Sequence, residues 1–113
     1  FNAEGRLNLV DGDAQEILEG IRVYTGAKHT YESQYVGVNT EGGTVIVASD
    51  NAWFYANLEH DLANGLSRDP AGQIAAQERM MELASHPDWI LPGHDRRLFE
   101  IFPEPGDGVA RIR

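Results

Sequence analysis

The chain contains no cysteine. Disulfide staples, thiolate nucleophiles and Cys-ligated zinc sites are thereby excluded. Positive charge is scarce: nine Lys and Arg stand against 18 Asp and Glu, a formal net charge of -9. A phosphate backbone or an anionic membrane surface needs a positive field, so neither nucleic acid nor membrane is an expected partner. No apolar run approaches the roughly 20 residues that span a bilayer. Neither an initiator Met nor a signal-peptide pattern opens the sequence, and its first residues read like the middle of a protein. An acidic balance of this kind is common in soluble cytoplasmic enzymes, and a cytoplasmic location is the expectation. Internal repeats, low-complexity segments and long linkers are also missing.

What is present suffices for one small domain. The 113 residues are 42% hydrophobic and include two Trp, four Tyr and four Phe, enough for a real core. A chain this short has little stability to spare.

The first half reads as strands. Arg6–Val10 alternates around Leu7 and Leu9, and Asp11-Gly12-Asp13 supplies a turn. Ile21–Thr25 and Gln34–Asn39 are rich in β-branched and aromatic residues. Thr40-Glu41-Gly42-Gly43 makes a hairpin connection to Thr44–Ser49. That strand is a nearly continuous apolar run and is expected to lie buried on both faces. With too few partners to cover both, the 113 residues are not expected to be a self-sufficient globule.

The second half reads as helices. Ala52–Leu62 holds a helical turn or two around Phe54, Leu58 and Leu62. The clearest helix starts at Asp69, a good N-cap, with Pro70 at the first helical position, and runs to about Ser85. Ala76, Met80 and Leu83 give it an apolar face, with Met81 and Ala84 beside them. His86-Pro87-Asp88 ends it. Trp89-Ile90-Leu91 is then a short buried strand, and Arg96–Phe102 forms a last helical turn. The order is that of an α+β fold, or of half of a layered αββα sandwich.

Three segments share a design in which a buried strand ends in a small-residue turn bearing a metal-competent side chain. They are Val23–Thr30 with His29, Val45–Asp50 with Asp50, and Trp89–Asp95 with His94. Strand ends place side chains rigidly at one rim of a sheet. Imidazole and carboxylate are the usual zinc ligands where cysteine is lacking. Taken one at a time, each is more often an ordinary hydrogen-bonded residue than a ligand. Trp53, Phe54 and Tyr55 are either core or the lining of a pocket beside Asp50. Asp95 either orients a ligand histidine or caps the following helical turn. His60 reads as part of a solvated helix face, His86 as a helix-end residue, and Asp11 and Asp13 as turn residues.

Together these segments resemble the C-terminal half of the metallo-β-lactamase superfamily, nearest to its N-acyl-homoserine lactonase-like branch. There a Gly-His-Ser/Thr segment precedes a Gln and a strand, and Lys28-His29-Thr30 with Gln34 is similar. An apolar strand ending in Ser-Asp matches Ala48-Ser49-Asp50. Pro92-Gly93-His94-Asp95 is intact, and Phe102-Pro103 is also typical. The resemblance covers nearly the whole chain.

It implies the C-terminal half of a four-layer αββα sandwich and a share of a binuclear site. His29 would join one ion, His94 the other, and Asp50 would bridge them and be catalytic. The cofactors implied are two divalent metal ions: zinc is favoured, with manganese, iron and cobalt as options. The implied reaction is hydrolysis of a small-molecule lactone, ester or amide by metal-bound hydroxide. The branch's remaining ligands come from a His-x-His-x-Asp-His motif in the N-terminal half, which these residues lack. That missing half is therefore an expected partner, and a homodimer is left open. Many homoserine lactonases hold the substrate carbonyl with a tyrosine three residues past the aspartate. That position is Trp53 here, with Tyr55 nearby; both are candidate substrate-binding residues. The alternative is a non-enzymatic split or degenerate relative, a binding or scaffolding module in which His29, Asp50 and His94 are relics.

Overall fold

The β-branched and aromatic segments of the first half form four antiparallel strands in a computed structural model that describes residues 5–112. They are β1 (Gln15–Leu18), β2 (Ile21–Thr25), β3 (Gln34–Thr40) and β4 (Gly43–Ser49). A fifth, β5 (Ile90–Pro92), adds to the edge parallel to β4, so the sheet order is β1-β2-β3-β4-β5. Parallel neighbours need a crossover. Helices α1 (Tyr55–Glu59) and α2 (Pro70–Leu83) lie within it, and α3 (Leu98–Ile101) follows β5. The result is a mixed α+β fold. No helix among the described residues is long and apolar enough to cross a membrane.

The expected hairpin is present: Thr40 pairs with Gly43, and the Thr40 hydroxyl donates to the Gly43 carbonyl at 2.7 Å. The expected helix also forms, with Asp69 accepting from the Gly72 N–H at 2.9 Å and Pro70 opening the first turn. Two expectations are corrected. Arg6–Val10 is not a strand. Leu9 is 88% exposed, and the first strand lies later. There Gln15 and Glu16 pair with Val23 and Arg22 across a two-residue Glu19-Gly20 turn. Nor is β4 buried on both faces, because Val47 and Ser49 are exposed.

The register explains that exposure. Residues directly opposite one another share a face. Tyr24, Tyr35, Gly37, Ile46, Ala48 and Ile90 lie on one side. There Tyr24, Tyr35, Ile46, Ala48 and Ile90 form the core with Ala52 and Met80, while Ala76, Leu83 and Ala84 of the helical half pack against it. Tyr24 and Tyr35 stack with ring centroids 5.1 Å apart. The other side carries Ile21, Val23, Val36, Val38, Val45, Val47 and Leu91. None of these joins the core cluster.

α2 is less apolar on its inner face than its sequence suggests. Met80 is fully buried, and Gln73 and Gln77, two turns and one turn before it, are buried as well. Met81, expected on that face, is exposed.

A polar cross-link ties the helix to the start of the sheet. Arg79 on α2 forks onto Asp13 at 3.1 and 2.8 Å, and Asp13 Oδ1 also accepts the Thr25 N–H at 2.9 Å. Asp13 is thus more than the turn residue expected. Hydrogen bonding from Arg79 first, then from Thr25, holds its carboxyl below the ordinary value of 3.8. A depressed carboxyl contributes stability above its unfolded value, and that stability is lost as pH falls through the folded one. In denaturant melts, Asp13→Asn should therefore be less stable by under about 1 kcal/mol, the scale of an exposed pair. The deficit should be constant above pH 3.8 and shrink as pH falls further. A deficit that grows on acidification would contradict the assignment.

Candidate functional site

Chain direction brings three strand ends to one rim. β2 and β4 both run antiparallel to β3, and β5 runs parallel to β4. Their C-terminal ends therefore face the same way, and each leads into one of the three segments singled out above. Ser49 takes a left-handed φ of 51° as β4 ends, turning the chain into Asp50. Gly93 is required where β5 ends, because a Cβ there would lie 2.8 Å from the Ser49 carbonyl oxygen. This close approach sets His94 beside Asp50.

The side chains converge. His94 Nε2 lies 2.8 Å from Asp50 Oδ1, and His29 Nε2 lies 3.9 Å from Asp50 Oδ2. Each carboxylate oxygen thus faces a different imidazole. His29 is largely buried, its side chain 14% exposed, whereas His94 and Asp50 are open to solvent. His29 Nδ1 is buried with no hydrogen-bond partner among the described residues.

Trp53 completes the group. Its indole N–H donates to Asp50 Oδ1 at 3.0 Å. Its ring meets both imidazoles edge-on, with centroids 5.6 Å from His29 and 5.7 Å from His94. Together with Phe54 and His94 it also lines an apolar hollow of about 220 Å³. Tyr55 is not brought to the group. It is buried with its hydroxyl toward the Asp88 carbonyl at 3.5 Å, and burial pushes that hydroxyl up to about 12. Asp95 takes the capping alternative, accepting the Arg97 N–H at 3.0 Å and the Tyr55 N–H at 2.9 Å.

A polar scaffold missed in the sequence holds this rim. Asn51 is fully buried. Its Oδ1 accepts from the Ala27 N–H at 3.0 Å and the Ser33 hydroxyl at 3.1 Å. Its Nδ2 donates to the carbonyls of Gln34 and Ala48, both at 3.0 Å. One amide so joins the end of β2, the start of β3 and the end of β4. Gly26 makes room for it, since a Cβ there would stand 2.2 Å from Asn51 Oδ1. Gln73 Nε2 donates to the Asp50 and Asn51 carbonyls at 3.2 and 3.1 Å, and Gln77 Nε2 to that of Asn51 at 2.9 Å. Asn64 Nδ2 donates to the Asp50 carbonyl at 2.8 Å. The one available signal was the spacing of Gln73 and Gln77 on the stripe of Met80.

The donor set suits a zinc-like cation: two imidazole nitrogens and a carboxylate. Two ligand atoms on one tetrahedral ion lie roughly 3.3 Å apart. The observed separations of 2.8 and 3.9 Å bracket that distance. Among the described residues, however, no group of three or more His, Asp or Glu side chains is set to hold an ion unaided. His94 and Asp50 touch directly, and His29 reaches only the far oxygen.

No protein-family model matches the sequence, and no curated protein does. Solved structures do match. One comes from work on how indirect contributions of mutations underlie optimization of new enzyme function. It matches with a TM-score of 0.67 at 22% identity, covering 82% of this chain and 37% of that one. Another is an N-acyl homoserine lactone hydrolase with the product N-hexanoyl-L-homoserine bound at its catalytic metal center. It matches with a TM-score of 0.68 at 24% identity, covering 86% of this chain and 40% of that one. The likeness is one of fold: the chain matches a C-terminal half of a metallo-β-lactamase-like fold. It spans about two fifths of the length of these structures.

The buried amide offers a test of how the rim is built. Asn51→Ala takes their side-chain partner from the Ala27 N–H, the Ser33 hydroxyl and the Gln34 carbonyl, while the Ala48 carbonyl keeps the backbone N–H of residue 51. Unsatisfied buried groups cost about 1–3 kcal/mol each. Urea unfolding should show a loss of at least about 2 kcal/mol, and amide exchange at Ala27 should quicken. A loss under about 0.5 kcal/mol, the scale of an ordinary surface change, would show that Asn51 does not organise the rim.

Proposed function

We propose that this chain is the C-terminal half of a metal-dependent hydrolase domain that cleaves a lactone, ester or amide. The observation that carries this is the placing of His29 and His94 on different oxygens of one carboxylate, Asp50. Such an arrangement suits a carboxylate shared between two cations, each with its own imidazole. His29, Asp50 and His94 would hold the ions. The rest of the ligands would come from an N-terminal half carrying the His-x-His-x-Asp-His motif, and together the halves would make a four-layer αββα sandwich. Zinc is the favoured metal, with manganese, iron and cobalt as alternatives. When bound, the ions would supply an acidified water at neutral pH and a Lewis acid for the substrate carbonyl.

The chain's own groups then have defined tasks. Holding through Nε2 leaves the neutral His29 ring its proton on Nδ1. The hollow of Trp53, Phe54 and His94 offers an apolar surface next to Asp50 for the non-reacting part of a substrate. Trp53 has no hydroxyl to hold a substrate carbonyl, so selectivity for acyl-homoserine lactones does not follow, and esters and cyclic amides stand level with lactones. The lack of a ready cage among the described residues favours a second reading, a non-enzymatic module in which the three residues are relics.

Metal analysis of the intact protein separates the two, followed by a screen of lactones, esters and cyclic amides. The hydrolase reading expects bound metal and turnover. Asp50→Ala should then lose at least one equivalent of metal and nearly all activity. Metal binding is also folding free energy, so its melting temperature should drop even where secondary structure persists. A protein that takes up no divalent metal, or an Asp50→Ala variant with full metal content and activity, would overturn the reading.

A further inference from the structure

We infer that Trp53 is a positioning residue for Asp50: its indole N–H fixes the carboxylate so that one oxygen faces each imidazole, while its ring keeps the imidazoles apart. The inference rests on the reading of His29, Asp50 and His94 as cation-holding residues.

Indole Nε1 is a donor only, with no lone pair for a metal and no ionisation to change its role. At 3.0 Å from Asp50 Oδ1 it gives the carboxylate a neutral partner in addition to His94. A carboxylate held at one oxygen by a fixed donor cannot turn freely about its Cβ–Cγ bond. Oδ2 is thereby left on the His29 side. The near-perpendicular ring contacts, with interplanar angles of 75° and 80°, put the indole against both imidazoles at once.

Trp53 is itself held at both ends of its backbone. Its N–H donates to Asn64 Oδ1 at 3.3 Å, and its carbonyl accepts the His94 N–H at 2.9 Å. The Gly93 N–H bonds the Ala52 carbonyl at 2.9 Å in the same ladder. Asn64 also holds the Asp50 carbonyl, so the orienting residue and the oriented one share an anchor.

Groups that orient metal ligands typically contribute 10–100-fold to metal affinity. The test is Zn2+ titration of the metal-stripped intact protein by calorimetry, with the far-ultraviolet spectrum as a check on folding. Two replacements at position 53 are compared: Trp53→Phe, and an isosteric benzothiophene side chain that keeps the bicyclic shape and carries sulfur in place of N–H. Both should weaken Zn2+ binding at least tenfold with the fold intact. In the wild-type protein the Trp53 indole proton should exchange slowly with water, and Asp50→Asn should shift its resonance. Should Trp53→Phe fail to fold, the benzothiophene replacement and the indole resonance still decide the matter. Unchanged Zn2+ affinity in the benzothiophene protein would overturn the inference and leave the hydrolase reading standing. A change confined to KM would do the same, returning Trp53 to a substrate contact. If the wild-type protein binds no Zn2+, Mn2+, Fe2+ or Co2+, the functional reading falls and the inference with it.

Discussion

One buried amide governs the geometry of this rim. Asn51 uses all four of its hydrogen-bonding positions, on the loop after β2, the start of β3 and the end of β4. A side chain with that many buried partners has one conformation, because every alternative leaves polar groups without water or protein to satisfy them. Its neighbours Asp50 and Trp53 inherit that rigidity through the backbone. Glycine at position 26 is part of the same constraint, since the amide occupies the space a side chain would need.

From this point the order spreads in two directions. Toward the helices, Gln73 and Gln77 hold the Asp50 and Asn51 carbonyls, so α2 meets the sheet partly through hydrogen bonds at the rim and through Met80 in the core. Toward β5, the segment 52–53 pairs its carbonyls with the N–H groups of Gly93 and His94. Asp95 adds a side-chain bond to Tyr55 and so closes the two loops on each other. Polar contacts of this kind set position more sharply than apolar packing, which tolerates sliding. They are spent at the rim where two histidines and a carboxylate meet.

The two faces of the sheet differ in kind. One is closed by Met80 and its neighbours into the core. The other is an array of five valines, one isoleucine and one leucine, with Val47 still 40% exposed. Sheets built of such residues on both sides are commonly covered on both. The solved structures of matching fold are more than twice as long as this chain.

Much was determined by the sequence alone. Short-range rules placed β2 to β4, the Thr40–Gly43 turn, and α2 with its Asp69–Pro70 start, since periodicity, turn residues and caps act within a few positions. The convergence of His29, Asp50 and His94 was legible too, as three strands each ended in the same kind of turn. Tertiary structure decided the rest. Arg6–Val10 has an alternating pattern but forms no strand, because a strand is a property of two paired segments. Gln73 and Gln77 look like solvent residues until the carbonyls of Asp50 and Asn51 come within reach. Tyr55, close to Asp50 in sequence, turns into the core because α1 starts there, whereas Trp53 turns toward the carboxylate. Periodicity says which residues share a face. Only the packed chain brings a donor at one position to an acceptor tens of residues away, and at a buried site those pairings decide where each side chain goes.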